Sequence, residues 1–284
     1  MSWRAPASPW LVPAAGSWTS RTTPRRGTPG KHVLKRRLAR DVERLDALQN
    51  LLYAGERRSL LLVFQALDAG GKDSTIRAVL SGVNPMGCAV HSFKQPSREE
   101  LRHDFLWRYL QRLPPLGMIG VFNRSHYESV LVERVHPDLL APGLQGGPAL
   151  WRERFAAIRA FERHLAVSGT VVLKFWLNVS KAEQRRRFLA RLGQPAKMWK
   201  FQEGDLVERG YWPAYQRAYR EALRQTSRPW APWYAIPADD KPYMRAAVAD
   251  IVVRALQNMR LRYPVLDAKQ RRRFAKLEAQ LERG

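Results

Sequence analysis

LLLVFQALDAGGKDST, residues Leu60 to Thr75, runs an apolar strand into a glycine loop that carries a lysine, and from there into a helix. Such a turn cradles phosphate. Glycines let backbone N–H groups turn around an anion, the helix N-terminus adds partial positive charge, and Lys72 adds a full one. Against the pattern G-x-x-x-x-G-K-[ST], Ala66 stands in place of the first glycine and Asp73 follows the lysine. The strand before and the helix after supply the context the motif needs, and an ordinary strand-to-helix turn rarely needs Gly-Gly-Lys between two aspartates. Ala69, Gly70, Gly71, Lys72, Asp73 and Ser74 are the expected phosphate cradle.

Elements alternate along the chain. Strands are expected at Ser59–Gln65, Cys88–Phe93, Met118–Phe122, Thr170–Leu177 and Trp233–Ile236. Helices are expected at Lys31 to about Leu52, Ser74–Leu80, Arg98–Arg112, Ala149–Val167, Lys181–Leu192, Trp212–Gln225 and Pro242–Met259. Three of the strands are dense in Val, Ile, Leu and Phe, as when both faces of a parallel sheet are covered. In the last helix, Val248, Ile251, Val252, Ala255, Leu256 and Met259 share one face. The expectation is an α/β fold of three layers, kinase-like around the phosphate loop, with a central parallel sheet and ligands at the carboxyl ends of its strands. Residues 31–264 would form this domain, with a helical lid at about 181–212 and a basic helical extension at 265–284. Residues 1–30, rich in Pro, Ser, Thr, Gly and Arg and free of acid, read as a disordered basic arm. Their composition also resembles a transit peptide.

The charge selects the class of partner. In 284 residues, 49 Lys and Arg against 25 Asp and Glu give +24. Such an excess calls for a polyanion: nucleic acid, an anionic membrane surface or a phosphate polymer. The single cysteine, Cys88, excludes an internal disulfide framework and a cysteine zinc site, and fits a reducing compartment such as the cytoplasm. No apolar run reaches the roughly 18–20 residues of a membrane span.

Three further groups bear on chemistry. Asp68 would repel a bare phosphate, so a divalent cation between carboxylate and phosphate explains it, as against an Asx-type turn. Asp73 is read first as a favourable charge at a helix N-terminus. At the end of the third strand, Asn123 offers a neutral oxygen to the same metal, Arg124 a guanidinium to phosphate, and Glu128 a charge beside them; His126 reads as structural. In EQRRRFLAR, Arg187 and Arg191 share a helical face and Arg185 widens the positive surface. A solvated face is the bland alternative; a lid arginine that pairs with phosphate oxygens is the functional one. Lys200, Lys94 and Arg134 are further candidate phosphate ligands. Trp199 and Phe201 are candidates for stacking a nucleobase.

QALDAGGKDSTI, SGVNPMGCAVHSFKQPS, HDFLWR, IGVFNRSHYESVLVERVHP, KMWKFQEGDLVERGYWPAYQRAY and TSRPWAPWYAIPADDK, in this order over about residues 30 to 264, resemble type 2 polyphosphate kinases. The resemblance implies Mg²⁺-dependent phosphoryl transfer between inorganic polyphosphate and nucleotides, with Mn²⁺ as a substitute. It also implies AMP, ADP and ATP as partners and a homo-oligomeric assembly. NRSHYE at Asn123–Glu128 is similar to the branch that phosphorylates both AMP and ADP. Other branches have Asp where Asn123 stands, so Asp68 would bear more of the metal. Ser74 and Ser129 depart from the family pattern where glycine and an acid are expected. Two other classes stay open: an ATP-dependent nucleoside monophosphate kinase, and a nucleic-acid-binding ATPase. Nonspecific nucleic-acid binding would accompany either reading of the charge.

Overall fold

The computed structural model describes residues 3–14, 18, 20–141, 143–199 and 201–283. Its centre is a six-stranded sheet of order β1-β6-β5-β2-β4-β3. The strands are β1 (Leu11–Val12), β2 (Ser59–Gln65), β3 (Cys88–Ser92), β4 (Ile119–Asn123), β5 (Thr170–Asn178) and β6 (Trp233–Pro237). All neighbours from β3 to β6 pair in parallel, and β1 alone runs antiparallel, on β6. Every residue of β2, β5 and β6 is buried, which is why their sequences read as continuous apolar runs rather than alternating ones.

Helices cover both faces. On one side lie α1 (Lys31–Gly55), α2 (Lys72–Val79) and, further along the chain, α10 (Lys241–Asn258). They pack Leu45, Leu52, Ile76, Val248 and Val252 against Leu60, Leu62 and Leu173. On the other side lie α4 (Glu128–Val135), α5 (Pro148–Val167) and α9 (Trp212–Thr226). Here Val130, Phe155, Ile158 and Tyr219 meet Leu61, Val63, Val172 and Trp176. The remaining helices are α3 (Trp107–Leu110), α6 (Lys181–Leu192), α7 (Pro195–Met198), α8 (Gly204–Gly210) and α11 (Ala268–Leu281). Because β2 sits between β4 and β5, the phosphate loop leaves the sheet at its centre, the place where α/β sheets bind ligands.

Two expectations change. The continuous helix over Arg98–Arg112 is instead a 3₁₀ turn at Glu100–Arg102 followed by α3. Ser97 and Glu100 cap each other, and Asp104 accepts from the Leu106 amide at 2.9 Å. Short side chains that bond their own backbone favour turns over a helix interior.

The second change concerns the arm. Its described residues form an ordered strap rather than a mobile tail. The Ala235 amide donates to the Trp10 carbonyl at 2.8 Å, and Tyr234 Oη to the Pro6 carbonyl at 3.0 Å. Asn178 Nδ2 donates to the Ser20 carbonyl at 2.6 Å. Trp10 is 3% exposed and its indole N–H reaches Tyr243 Oη at 2.7 Å; Trp18 meets Trp176 edge-on at 5.9 Å. A few large apolar side chains thus hold a segment whose average composition predicts disorder, and β1 covers the sheet's open edge. Trp10→Ala is therefore expected to cost about 3 kcal/mol and to lower Tm by roughly 6–10 °C, with kcat near wild type; an unchanged melting curve would refute this anchoring.

Past Tyr263 the chain forms α11 (Ala268–Leu281): Asp267 and Gln270 make a capping box at its start, and it has no buried residue. No helix of the described residues is long and apolar enough to cross a membrane.

Candidate active site

The phosphate loop is shaped by who takes its carbonyls. Gln184 Nε2 donates to the Asp68 carbonyl at 2.9 Å, and Arg187 Nη1 to those of Ala69 and Gly70, each at 3.0 Å. All three carbonyls are thereby drawn toward α6. The trans peptide plane points each following N–H the opposite way, so the amides of Ala69 and Gly71 face the cradle; that of Gly70 closes a turn onto the Leu67 carbonyl at 2.9 Å. The first amides of α2 add the open N-terminal donors of a helix. Ala69 adopts φ 57° and Gly71 φ 103°. A Cβ on Gly70 would lie 2.6 Å from the Ala66 Cβ, so the loop tolerates no side chain there.

Lys72 Nζ donates to the Ala66 carbonyl at 2.7 Å, which fixes the ammonium beside the loop with two N–H groups to spare. Burial holds its pKa below the ordinary lysine value and the Arg124 charge adds to this, while Asp68, Glu128 and Asp73 oppose it. Ser74 Oγ donates to the Gly71 carbonyl at 3.1 Å.

The end of β4 meets this loop. The Arg124 amide donates to the Phe64 carbonyl at 3.1 Å, joining the ends of β4 and β2. Arg124 has φ 65°, a left-handed conformation that a long side chain rarely takes and that clusters at functional sites. Its guanidinium lies 3.2 Å from Asp68 and 3.7 Å from Glu128. Asn123 Nδ2 donates to Asp73 at 2.8 Å, and Gln65 Nε2 holds Glu128 at 3.0 Å. Asp68, Lys72, Asp73, Asn123, Arg124 and Glu128 thus lie together at the ends of β2 and β4.

No group of three or more His, Cys, Asp or Glu side chains able to hold a metal occurs among the described residues. The donors here are the Asp68 carboxylate and Asn123 Oδ1, the amide of Asn123 being turned by its bond to Asp73. One or two hard oxygens beside a phosphate cradle fit a small divalent cation that keeps its waters and binds substrate phosphates rather than an all-protein cage.

The remaining basic candidates divide. Arg187 is buried, and beyond the loop carbonyls it donates to Glu183 at 2.7 Å and to the Ala238 carbonyl. Its fork is filled by protein, so it holds the loop rather than reaching over it. Arg187→Ala is expected to lower kcat/KM about 100-fold through a misplaced loop and to cost about 2–3 kcal/mol through unpaired buried carbonyls. Loss of activity with an unchanged Tm would place the guanidinium on substrate instead.

Arg191 lies over the Phe188 ring and 3.8 Å from Asp205, a residue the motifs did not single out. Burial raises the Asp205 pKa and the Asp68 charge raises it further. Arg209 ties α8 to α6 through Gln184 at 2.9 Å. Arg185 is exposed, and Lys94 is exposed in the segment after β3. Lys200 lies outside the described residues. Arg134 is not in the constellation: it pairs with Glu221 at 2.6 Å, between α4 and α9, and lies over Trp151. Trp199 is 75% exposed, whereas Phe201 packs edge-on against Phe188 at 5.7 Å.

Reasoning from sequence missed a second cluster, which includes His126 and Tyr127 from the segment after β4. Lys174, in the middle of β5, donates to Glu162 at 2.6 Å, to Tyr127 Oη at 2.9 Å and to the Thr226 carbonyl at 2.9 Å. Glu162 also accepts from Tyr127 at 2.8 Å and lies 3.3 Å from His126 Nε2. All four side chains are buried. Burial pushes the Lys174 pKa down to about 8 and lowers that of His126. The signal was present, since Lys174 and Glu162 are charges at core-facing positions of apolar elements.

The chain as a whole is similar to known proteins. The family described as Polyphosphate kinase 2 (PPK2) matches residues 29–264. An ADP-polyphosphate phosphotransferase of Rhodopseudomonas palustris is 47% identical over 271 residues, which cover 94% of this chain and 93% of the relative. An AMP/ADP-polyphosphate phosphotransferase of Meiothermus ruber is 48% identical over 235 residues, 83% of this chain and 85% of that protein. Among solved structures, polyphosphate kinase 2 from Arthrobacter aurescens TC1 superposes with a TM-score of 0.86 at 38% identity, covering 97% of this chain and 98% of that one.

Proposed function

The chain belongs to the polyphosphate kinase 2 family, and from that premise we propose that it transfers the terminal phosphoryl group of inorganic polyphosphate to AMP and ADP, reversibly. The observation that carries this reading is the loop whose carbonyls are held outward beside Lys72 and Arg124, within the family match. An oxygen of the acceptor's terminal phosphate attacks the end phosphorus of the polymer. The bridging P–O bond breaks, and the shortened polyphosphate leaves with the electron pair. The attacking oxygen is already anionic, so no general base is required.

The amides of Ala69 and Gly71, with Lys72, hold the donor phosphates, and Arg124 lies where charge spreads over the transferring group. Asp68 and Asn123 would hold Mg²⁺, or Mn²⁺ in its place, which supplies charge neutralisation between phosphate oxygens. Glu128 orients Arg124; Arg191, Arg185 and Lys94 line the approach. Exposed Trp199 is the proposed stacking surface for the nucleobase. A homo-oligomer in the cytoplasm is the expected state, with nonspecific nucleic-acid binding a consequence of the +24 charge.

The test is nucleotide chromatography after incubating purified protein with Mg²⁺, long-chain polyphosphate and either AMP or ADP, with ATP plus AMP in parallel. Polyphosphate-dependent formation of ADP from AMP and of ATP from ADP is expected. Turnover with ATP as the sole effective donor would make the protein a nucleoside monophosphate kinase.

A further inference from the structure

Away from the loop, α1, α10 and the N-terminal strap enclose a groove of about 720 Å³. Its walls carry five arginines, Arg36, Arg37, Arg40 and Arg44 from α1 and Arg254 from α10. Two carboxylates line it as well. Asp41 lies 3.8 Å from Arg44, and Asp250 is paired with Arg254. That leaves Arg36, Arg37 and Arg40 exposed and without an ion-pair partner among the described residues. The third wall is built, not incidental. Arg254 donates to the Ala7 carbonyl at 2.6 Å, and Trp10 to Tyr243, which brings Ser8 and Pro9 over the groove.

The groove's position matters as much as its charge. It runs from Val33 to Arg44 on α1 and from Tyr243 to Arg254 on α10, about 16 Å at the helical rise. Its Tyr243 end adjoins the phosphate loop, since the next residue, Met244, would stand 3.0 Å from a Cβ on Gly71. A row of guanidiniums in a concave wall concentrates field and pairs with phosphate oxygens. A solvated helix face would account for arginines on α1, but not for a strap that folds over to make them one side of a trough ending at the loop.

We propose that this groove is an exosite for the distal part of a long polyphosphate chain, held by Arg36, Arg37 and Arg40 while the chain's end is engaged at the phosphate loop. This rests on the polyphosphate reading above. A long polymer spans both places, whereas tripolyphosphate occupies the loop alone. The exosite therefore acts on affinity for long chains and not on the chemical step.

The test compares wild type with Arg36→Gln/Arg37→Gln/Arg40→Gln, and with the corresponding triple lysine variant. KM is measured for tripolyphosphate and for long-chain polyphosphate with ADP as acceptor. Binding of fluorescently labelled long-chain polyphosphate is followed by anisotropy, with single-stranded DNA as a second probe. The glutamine variant is expected to raise the long-chain KM and weaken polymer binding about tenfold, as loss of three phosphate contacts implies. Its kcat and its KM for tripolyphosphate should stay unchanged, and lysine should restore most of the affinity. Equal changes for both lengths, or no change in polymer binding, would overturn the exosite. Loss of DNA binding with polyphosphate binding intact would overturn it in favour of a nucleic-acid site. If wild type turned over no polyphosphate but still bound the polymer through these arginines, the activity reading would fail and the exosite would stand.

Discussion

Lys72→Ala is expected to lower kcat/KM for phosphoryl transfer by about three orders of magnitude, near 4 kcal/mol of transition-state stabilisation, while leaving the free protein at least as stable as wild type. The two halves have one cause. Lys72 is held against the Ala66 carbonyl inside the loop, where its charge is poorly solvated and lies near Arg124. Its folded pKa is below its unfolded value, so the unfolded chain binds the proton more tightly. That difference destabilises the folded state in full below the folded pKa and is relieved as pH rises through the window up to the unfolded value. Alanine removes the burden. A polyphosphate chain would remove it too, by supplying the opposite charge, so polymer should raise the Tm of wild type more than that of the variant. Turnover within tenfold of wild type would take Lys72 out of the chemistry. A large fall in Tm would mean the loop depends on Lys72 for its shape.

That prediction was open to a reader of the sequence, because strand, glycines, lysine and helix are contiguous and each residue type has one physical job. The β4 end was legible for the same reason. The division among the arginines was not. Arg185, Arg186, Arg187 and Arg191 look alike along the chain, and only the packing of α6 turns Arg187 onto the loop carbonyls while Arg185 stays in solvent. Composition misled at the strap, where Trp10 and Val12 supply burial that an average over residues 1–30 hides. It misled again at Arg98–Arg112, where charge-rich helical propensity lost to local caps at Ser97 and Asp104.

The second large effect is on stability, at Lys174. Lys174→Met is expected to cost about 3–5 kcal/mol, because it strands a buried carboxylate rather than removing a pair. Glu162 would keep only its bonds to Tyr127 and His126, and the Thr226 carbonyl would lose its donor. Adding Glu162→Leu should return a good part of that loss, since a buried pair is often no more stabilising than apolar side chains of similar size; the double-mutant cycle measures the coupling. The gap between wild type and Lys174→Met should also widen from about pH 8 upward. With its pKa pushed down to about 8, wild-type Lys174 sheds its proton more readily folded than unfolded, which favours the folded state increasingly until the ordinary lysine value is passed. Activity is expected to fall with stability, because His126 and Tyr127 lie between Arg124 and Glu128 on the segment that joins β4 to α4. If denaturant titration gave Lys174→Met the stability of wild type, the pair would be dispensable to the fold. Retained kcat in a destabilised variant would show that this segment keeps its shape without the pair.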